Sequence, residues 1–275
     1  MPSKYVFTIT TGRSGSVFLT DLLEQNAPDS KVFHERTGYT AFGETTPDLS
    51  HFTLFNSVGN VPKVRDFWKR KFHHDSKIQK SNYIETSHLL SKAGLFENID
   101  LLQPMAKEIH IIIMRRDIFK IVWSLYNRGD FANLGFTWLY YLDPRYPNKI
   151  LLSDAFNKHG QVGWALWYVL EMFARAEYYK LLLADTQKVH IHDIDLSDIT
   201  KEKGALSLLR DLGFKTTSKS LQMPPKANQS NSFKYGQKEE QRVRQLVDGL
   251  RFNAKEIAAK YYDSGMRLGT IKERR

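Results

Sequence analysis

The chain of 275 residues contains no cysteine. That excludes disulfides, thiolate catalysis and cysteine-ligated zinc or iron–sulfur sites, and leaves any chemistry to oxygen and nitrogen groups. No stretch of about 20 apolar residues is available for a membrane span. The first residues, Met1-Pro2-Ser3-Lys4, run directly into a strand-like pattern without the layout of a signal peptide, so a cytoplasmic location is expected. Acidic residues are scarce relative to basic ones: 30 Asp and Glu stand against 40 Lys and Arg, a formal charge of +10. The excess is uneven, since residues 201–275 carry 17 basic and 8 acidic side chains. A basic surface attracts phosphate, sulfate, polynucleotide or anionic lipid alike, and it also serves simply to keep a protein soluble.

What is present is an alternation of short apolar runs and helical periodicities. Tyr5 to Thr10 is β-branched and aromatic, and Val17 to Leu23 has apolar residues at helical spacing. Further strands are predicted at Lys31 to Phe33, Ser81 to Glu85, Ile109 to Met114 and Lys188 to His192. Helices are predicted from Asp117 to Tyr126, from about Val162 to Leu183, in a segment ending at Leu212-Gly213, and from about Gln237 to Tyr262. Such alternation predicts an α/β fold with a parallel sheet, and no linker or repeat divides it, so one domain over residues 1–275 is expected.

Two segments carry chemistry. In Thr11-Gly12-Arg13-Ser14-Gly15-Ser16 a strand gives way at once to a helix through two glycines and two serines. A helix start gathers unpaired N–H groups and partial positive charge, so this loop suits a phosphate or sulfate, with Arg13 adding a guanidinium. The spacing differs from the G-x-x-x-x-G-K-[ST] loop of nucleoside triphosphatases and lacks its lysine, which disfavours an ATP or GTP hydrolase. The second segment is Arg115-Arg116-Asp117, at the end of the most apolar strand, with Ser124 eight residues past Arg116. Basic residues at the carboxyl edge of a parallel strand lie on the rim where such sheets bind ligands.

Together these segments resemble the sulfotransferases that use 3′-phosphoadenosine 5′-phosphosulfate (PAPS), of the carbohydrate and bacterial type. The resemblance covers about two-thirds of the chain, from the first loop to the strand at His190. It implies a P-loop-NTPase-like central parallel sheet flanked by helices, with PAPS as donor, 3′-phosphoadenosine 5′-phosphate (PAP) as product and no metal. Gly12, Arg13, Ser14, Gly15, Ser16 and Val17 correspond to the loop that grips the 5′-phosphosulfate. Arg13 stands where other members have Lys, and would stabilise the leaving oxygen. Arg116 and Ser124 correspond to the pair that binds the 3′-phosphate, although Ile118 replaces the common proline. A basic, glycine-containing loop that closes over the nucleotide in the family has its best match in Asn231 to Gly236, which places Lys234, Tyr235 and Gly236 at the donor.

Sulfuryl transfer to a hydroxyl needs in-line geometry, stabilisation of the leaving oxygen and a base. Related enzymes place a glutamate roughly two dozen residues beyond the basic residue of the first loop, and Glu35 is 22 residues beyond Arg13. Glu35 is therefore the expected base, with His34 its rival. Glu85-Thr86-Ser87-His88 resembles the family's Glu-Lys-Thr/Ser-Pro segment with Thr86 in the lysine position, leaving His88 to supply a proton or hydrogen bond. The acceptor is expected to be a hydroxylated small molecule or carbohydrate, met by the aromatic-rich stretch from Asn133 to Pro147, whereas Trp164 and Trp167 at helical spacing read as core. His73-His74-Asp75 and His190-Ile191-His192 with Asp193 contain metal-ligand types but no third ligand at a recognised spacing, so no metal is expected. Two other functions fit parts of the pattern: a nucleotide-dependent phosphotransferase, which would need a Mg²⁺ site, and a nucleic-acid-binding module built on the basic C-terminal quarter. With the resemblance weighed in, no nucleic-acid partner is expected.

Overall fold

The computed structural model describes residues 1–37, 40–132, 138–225 and 235–270. Five strands, β1 (Lys4–Ile9), β2 (Ser30–His34), β3 (Asn82–Thr86), β4 (Glu108–Arg115) and β5 (Val189–Asp195), form one sheet in the order β2-β3-β1-β4-β5. All four pairings are parallel. The helices are α1 (Ser16–Asn26), α2 (Leu49–Val58), α3 (Pro62–Asp75), α4 (Ile118–Arg128), α5 (Asp154–Asn157), α6 (Gly160–Leu183), α7 (Leu196–Ile199), α8 (Glu202–Asp211), α9 (Gln237–Asp248) and α10 (Ala254–Asp263). The α/β architecture expected from the sequence is thus the one observed.

The alternation within β1 and β4 explains the layers. Tyr5, Phe7 and Ile9 of β1, with Ile109, Ile111 and Ile113 of β4, point into a large core that includes α3, α6 and α10. Val6, Ile112 and Met114 point the other way, into a second core with α1 and α8. A strand covered on both faces has to be largely apolar, which is why β4 from Ile109 to Met114 is an apolar run broken only by the buried His110. Helix α6 is buried on most of its circumference and pairs its buried charges: Glu171 and Arg175, both fully buried, meet at 2.8 Å, and Glu177 meets Lys180 at 3.1 Å and also Arg115.

The strand order places a topological switch between β1 and β4. After β1 the chain leaves toward β2 on one side of the sheet, and after β4 toward β5 on the other, so the loops following these two strands border a crevice at their carboxyl ends. One expectation needs correction. The single helix from Gln237 to Tyr262 is two helices, because α9 stops at Gly249 and the Asn253 side chain accepts from Glu256 N at 3.3 Å to start α10. Among the described residues, no helix is long and apolar enough to cross a membrane.

Candidate active site

The first loop leaves β1 at Thr10 and enters α1 through three positive φ angles: Gly12 at 75°, Arg13 at 55° and Gly15 at 93°. For the glycines this costs little, whereas Arg13 is held in a conformation that disfavours a Cβ by about 1–2 kcal/mol. Gly15 is the cap residue of α1 and brings no side-chain acceptor. The N–H groups of the first turn, Ser16 and Val17 among them, are therefore left to an external partner by the helix itself. Gly12 has a second reason to be glycine. A Cβ there would lie 2.3 Å from the Trp138 indole and 3.3 Å from the His88 ring. Inside the loop, Thr11 Oγ1 and Ser14 Oγ share a hydrogen bond of 2.6 Å, and the Tyr168 hydroxyl of α6 donates to Thr11 O at 2.6 Å.

The second segment meets the first directly. Arg13 Nε donates to Ser124 Oγ at 3.0 Å, and Arg116 Nη1 donates to Arg13 O at 2.6 Å. Residues more than a hundred positions apart in sequence thus converge at the switch point. The Arg13 guanidinium has its pKa lowered, first by burial and then by Arg128 and Arg116, with Asp130 opposing; burial also lowers that of Arg116. Like charges gathered around an uncapped helix start make a place for an anion.

The acid–base candidates lie on the adjoining rim. His34 ends β2 and its Nε2 lies 3.1 Å from Ser16 Oγ. Glu35 follows with φ 42° and sends Oε1 to within 3.5 Å of His88 Nε2. Its side chain keeps 20% exposure, so a solute can reach the carboxylate. The His88 ring lies flat on Trp138, centroids 4.5 Å apart and planes 2° apart, with the Tyr141 ring edge-on at 5.5 Å. Burial, then Lys92 and His34, hold its pKa well below the ordinary histidine value. Thr86 is engaged elsewhere, hydrogen-bonded to the Thr20 hydroxyl and donating to Phe33 O at 3.4 Å.

Of the residues singled out in the sequence, Gly12 to Val17, His34, Glu35, His88, Arg116 and Ser124 border one region. Lys234 lies outside the described residues, as do 231–233 and 133–137. Tyr235 packs flat against Tyr126 of α4 at 4.5 Å, and its N–H donates to Asn127 Oδ1 at 3.0 Å, while Gly236 caps α9. Tyr235, just before α9, therefore docks on the helix that carries Ser124. Trp167 is core as expected, fully buried with its Nε1 donating to Leu151 O. No group of three or more metal-ligand side chains is assembled among the described residues. His190 and His192 instead pack against His110, with His192 Nε2 2.9 Å from His110 Nδ1.

Sequence reasoning missed Lys92 and Tyr168. Lys92 is fully buried with its ammonium on His88, and the only sign of it was one charge inside the apolar run from Leu89 to Phe96. Tyr168 sits mid-helix in α6, where nothing local distinguishes it from core.

No family model matches the sequence, and no curated protein matches it. Among solved structures, the chain aligns with the sulfotransferase domain from the curacin biosynthetic pathway over 98% of this chain and 99% of that one, at 11% identity and a TM-score of 0.47. It aligns with a sulfotransferase from Alicyclobacillus acidocaldarius over 90% of each chain, at 13% identity and a TM-score of 0.44. With mouse sulfotransferase SULT7A1 complexed with PAP, it shares 12% identity over 94% of this chain and 89% of that one, at a TM-score of 0.41. Similarity this low carries no residue-level correspondence, so the functional reading rests on the chain's own geometry.

Proposed function

We propose that this chain is a PAPS-dependent sulfotransferase acting on a hydroxyl acceptor, a carbohydrate or small molecule. The observation that carries the reading is the meeting of Arg13, Ser124 and Arg116 beside the uncapped start of α1. A donor with phosphate at both the 3′ and 5′ positions needs two groups of anion-binding residues, and the adjoining segments offer basic and hydroxyl side chains for both. The loop from Gly12 to Val17 takes the 5′-phosphosulfate, with Arg13 against the leaving oxygen. Arg116 and Ser124 take the 3′-phosphate, and Tyr235, with Lys234 and Gly236, borders the nucleotide.

The acceptor oxygen attacks sulfur as the bond from sulfur to the bridging phosphate oxygen breaks. PAP departs with the bond's electron pair, and the acceptor's proton passes to a base. Glu35 fits that role better than His34, because His34 Nε2 is engaged by Ser16 while Glu35 remains reachable from solvent. Trp138 and Tyr141, ranged around His88, form an apolar border on which the acceptor can rest.

The reading is tested by incubating the chain with PAPS and a panel of sugars and phenols while following PAP release. Acceptor-dependent PAP is expected, falling about 10²–10⁴-fold in Glu35→Gln as expected for loss of a general base. Phosphoryl transfer from ATP with no use of PAPS would instead identify a phosphotransferase. Salt-sensitive polynucleotide binding without turnover would point to the basic C-terminal quarter.

A further inference from the structure

Lys92 is out of place by ordinary rules. It is fully buried and makes no salt bridge among the described residues, although a buried ammonium is costly unless its donors are well placed. Its placement has a clear direction. It ends the short 3₁₀ turn Leu90–Lys92 and reaches back over that turn to His88, donating to the His88 carbonyl and lying 3.1 Å from Nδ1. The Tyr168 ring covers it at 5.3 Å. The other ring nitrogen of His88 faces Glu35. Lys92, His88 and Glu35 thus form a line running from the core to the rim.

We propose that Lys92 is a positioning residue for the Glu35 carboxylate: its Nζ–H donates to the lone pair of His88 Nδ1, which fixes the ring proton on Nε2 and directs that N–H at Glu35 Oε1. An imidazole so held is neutral, and its one lone pair is already taken. It cannot accept the proton of an attacking hydroxyl, which passes to Glu35 while one carboxylate oxygen is steadied by His88. Thr86 brings no charge to this rim. Lys92 approaches it from beneath, its pKa pushed well below the ordinary lysine value by burial with Glu35 opposing, and acts through the imidazole rather than on the reacting atoms.

The balance of the groups that face His88 favours a neutral ring. Lys92 approaches from the 3₁₀ turn, His34 and Glu35 from the end of β2, Trp138 and Tyr141 from the segment after α4, and Gly12 from the loop. Glu35 is the one group among them that favours a charged ring. At 3.5 Å it is outweighed by burial and by the nearer Lys92, with His34 acting the same way.

The tautomer can be read without donor or acceptor, which separates this proposal from the sulfotransferase reading on which the role of Glu35 rests. In the full chain labelled with ¹⁵N-histidine, long-range ¹H–¹⁵N spectra identify His88 through its ring contacts with Trp138. The expected pattern is neutral with the proton on Nε2, persisting as pH falls through 6. Lys92→Met should free the Nδ1 lone pair, moving its ¹⁵N resonance and raising the protonation midpoint. A proton on Nδ1 in the wild type, or an identical pattern in Lys92→Met, overturns the proposal. Should Lys92→Met fail to fold, the wild-type spectrum alone still decides the tautomer, and Lys92→Arg, which keeps a cationic donor, should preserve it. In turnover, Lys92→Met is expected to lose roughly 10²-fold with PAP affinity within about twofold, in line with removing an aid to a general base. Undiminished turnover in that variant would refute the positioning role. A wild-type chain that neither binds PAP nor consumes PAPS would refute the proposed function, and the spectrum would still judge the tautomer.

Discussion

Replacing Gly12 with alanine should damage the site through two separable effects. The first is conformational, because φ is 75° and a side chain in that region costs about 1–2 kcal/mol. The second is steric. The new Cβ would sit 2.3 and 2.8 Å from two carbons of the Trp138 indole, whereas carbons rest at about 3.5–4.0 Å, so the ring must retreat by more than about 1 Å. Trp138 is 8% exposed and packed edge-on against Tyr168 at 5.4 Å, so it cannot swing free, and its displacement disturbs the His88 ring stacked on it. Overpacking of this kind adds about 1–3 kcal/mol, for a combined loss of about 2–5 kcal/mol. Gly160→Ala is the matched control, since φ there is 59° and a Cβ meets nothing within 4 Å. It should show the conformational cost alone, about 1–2 kcal/mol. Urea unfolding of both variants measures the difference, and equal losses would refute the proposed contact between Trp138 and the loop.

Two buried groups give the stability a pH dependence of opposite sign. Burial raises the pKa of Glu97 from 4.5 to about 7, its Oε1 accepting from Tyr179 at 2.9 Å and its Oε2 without a hydrogen-bond partner among the described residues. The protonated form therefore stabilises the fold below pH 4.5, and that contribution is lost as pH rises through 7; Glu97→Gln should gain up to about 3 kcal/mol at pH 8 and almost nothing at pH 4.5, and no pH dependence in the gain would contradict the burial. His110, lowered from 6.5 to about 4 chiefly by burial, contributes stability above pH 6.5 that is lost as pH falls toward 4. His110→Gln should accordingly lose less stability than the wild type on going from pH 7 to 4.5 in matched thermal scans, and parallel curves would count against it.

How much of this was legible in the sequence depended on whether the signal was local. The apolar run of β4 and the strand-loop-helix at Thr11 to Ser16 announce themselves, because burial on both faces and a tight anion-sized turn each demand particular residues in sequence. Helix α3 did not, since its buried stripe of Val64, Phe67, Trp68 and Phe72 also contains Lys71 and Asp75. Their partners are non-local: Glu85, 2.6 Å from Lys71, and Arg36, 2.7 Å from Asp75, are brought to them by β3 and the segment after β2. Lys92 was hidden for the same reason, as its partner is a ring whose orientation is set by Trp138 from elsewhere in the chain. The break between α9 and α10 was local and readable: Gly249 and Asn253 are stop and start residues that the apolar periodicity on either side overrode.

The central claim is that the convergence of Arg13, Ser124 and Arg116 holds a nucleotide phosphorylated at both ends, and calorimetric titration with PAP tests it most directly. PAP should bind, AMP should bind far more weakly, and Arg116→Ala should weaken PAP by about 10- to 150-fold, the value of a charged hydrogen bond of about 1.5–3 kcal/mol, while leaving AMP nearly unchanged. Equal affinity for PAP and AMP, or a PAP affinity indifferent to Arg116→Ala, would contradict the account.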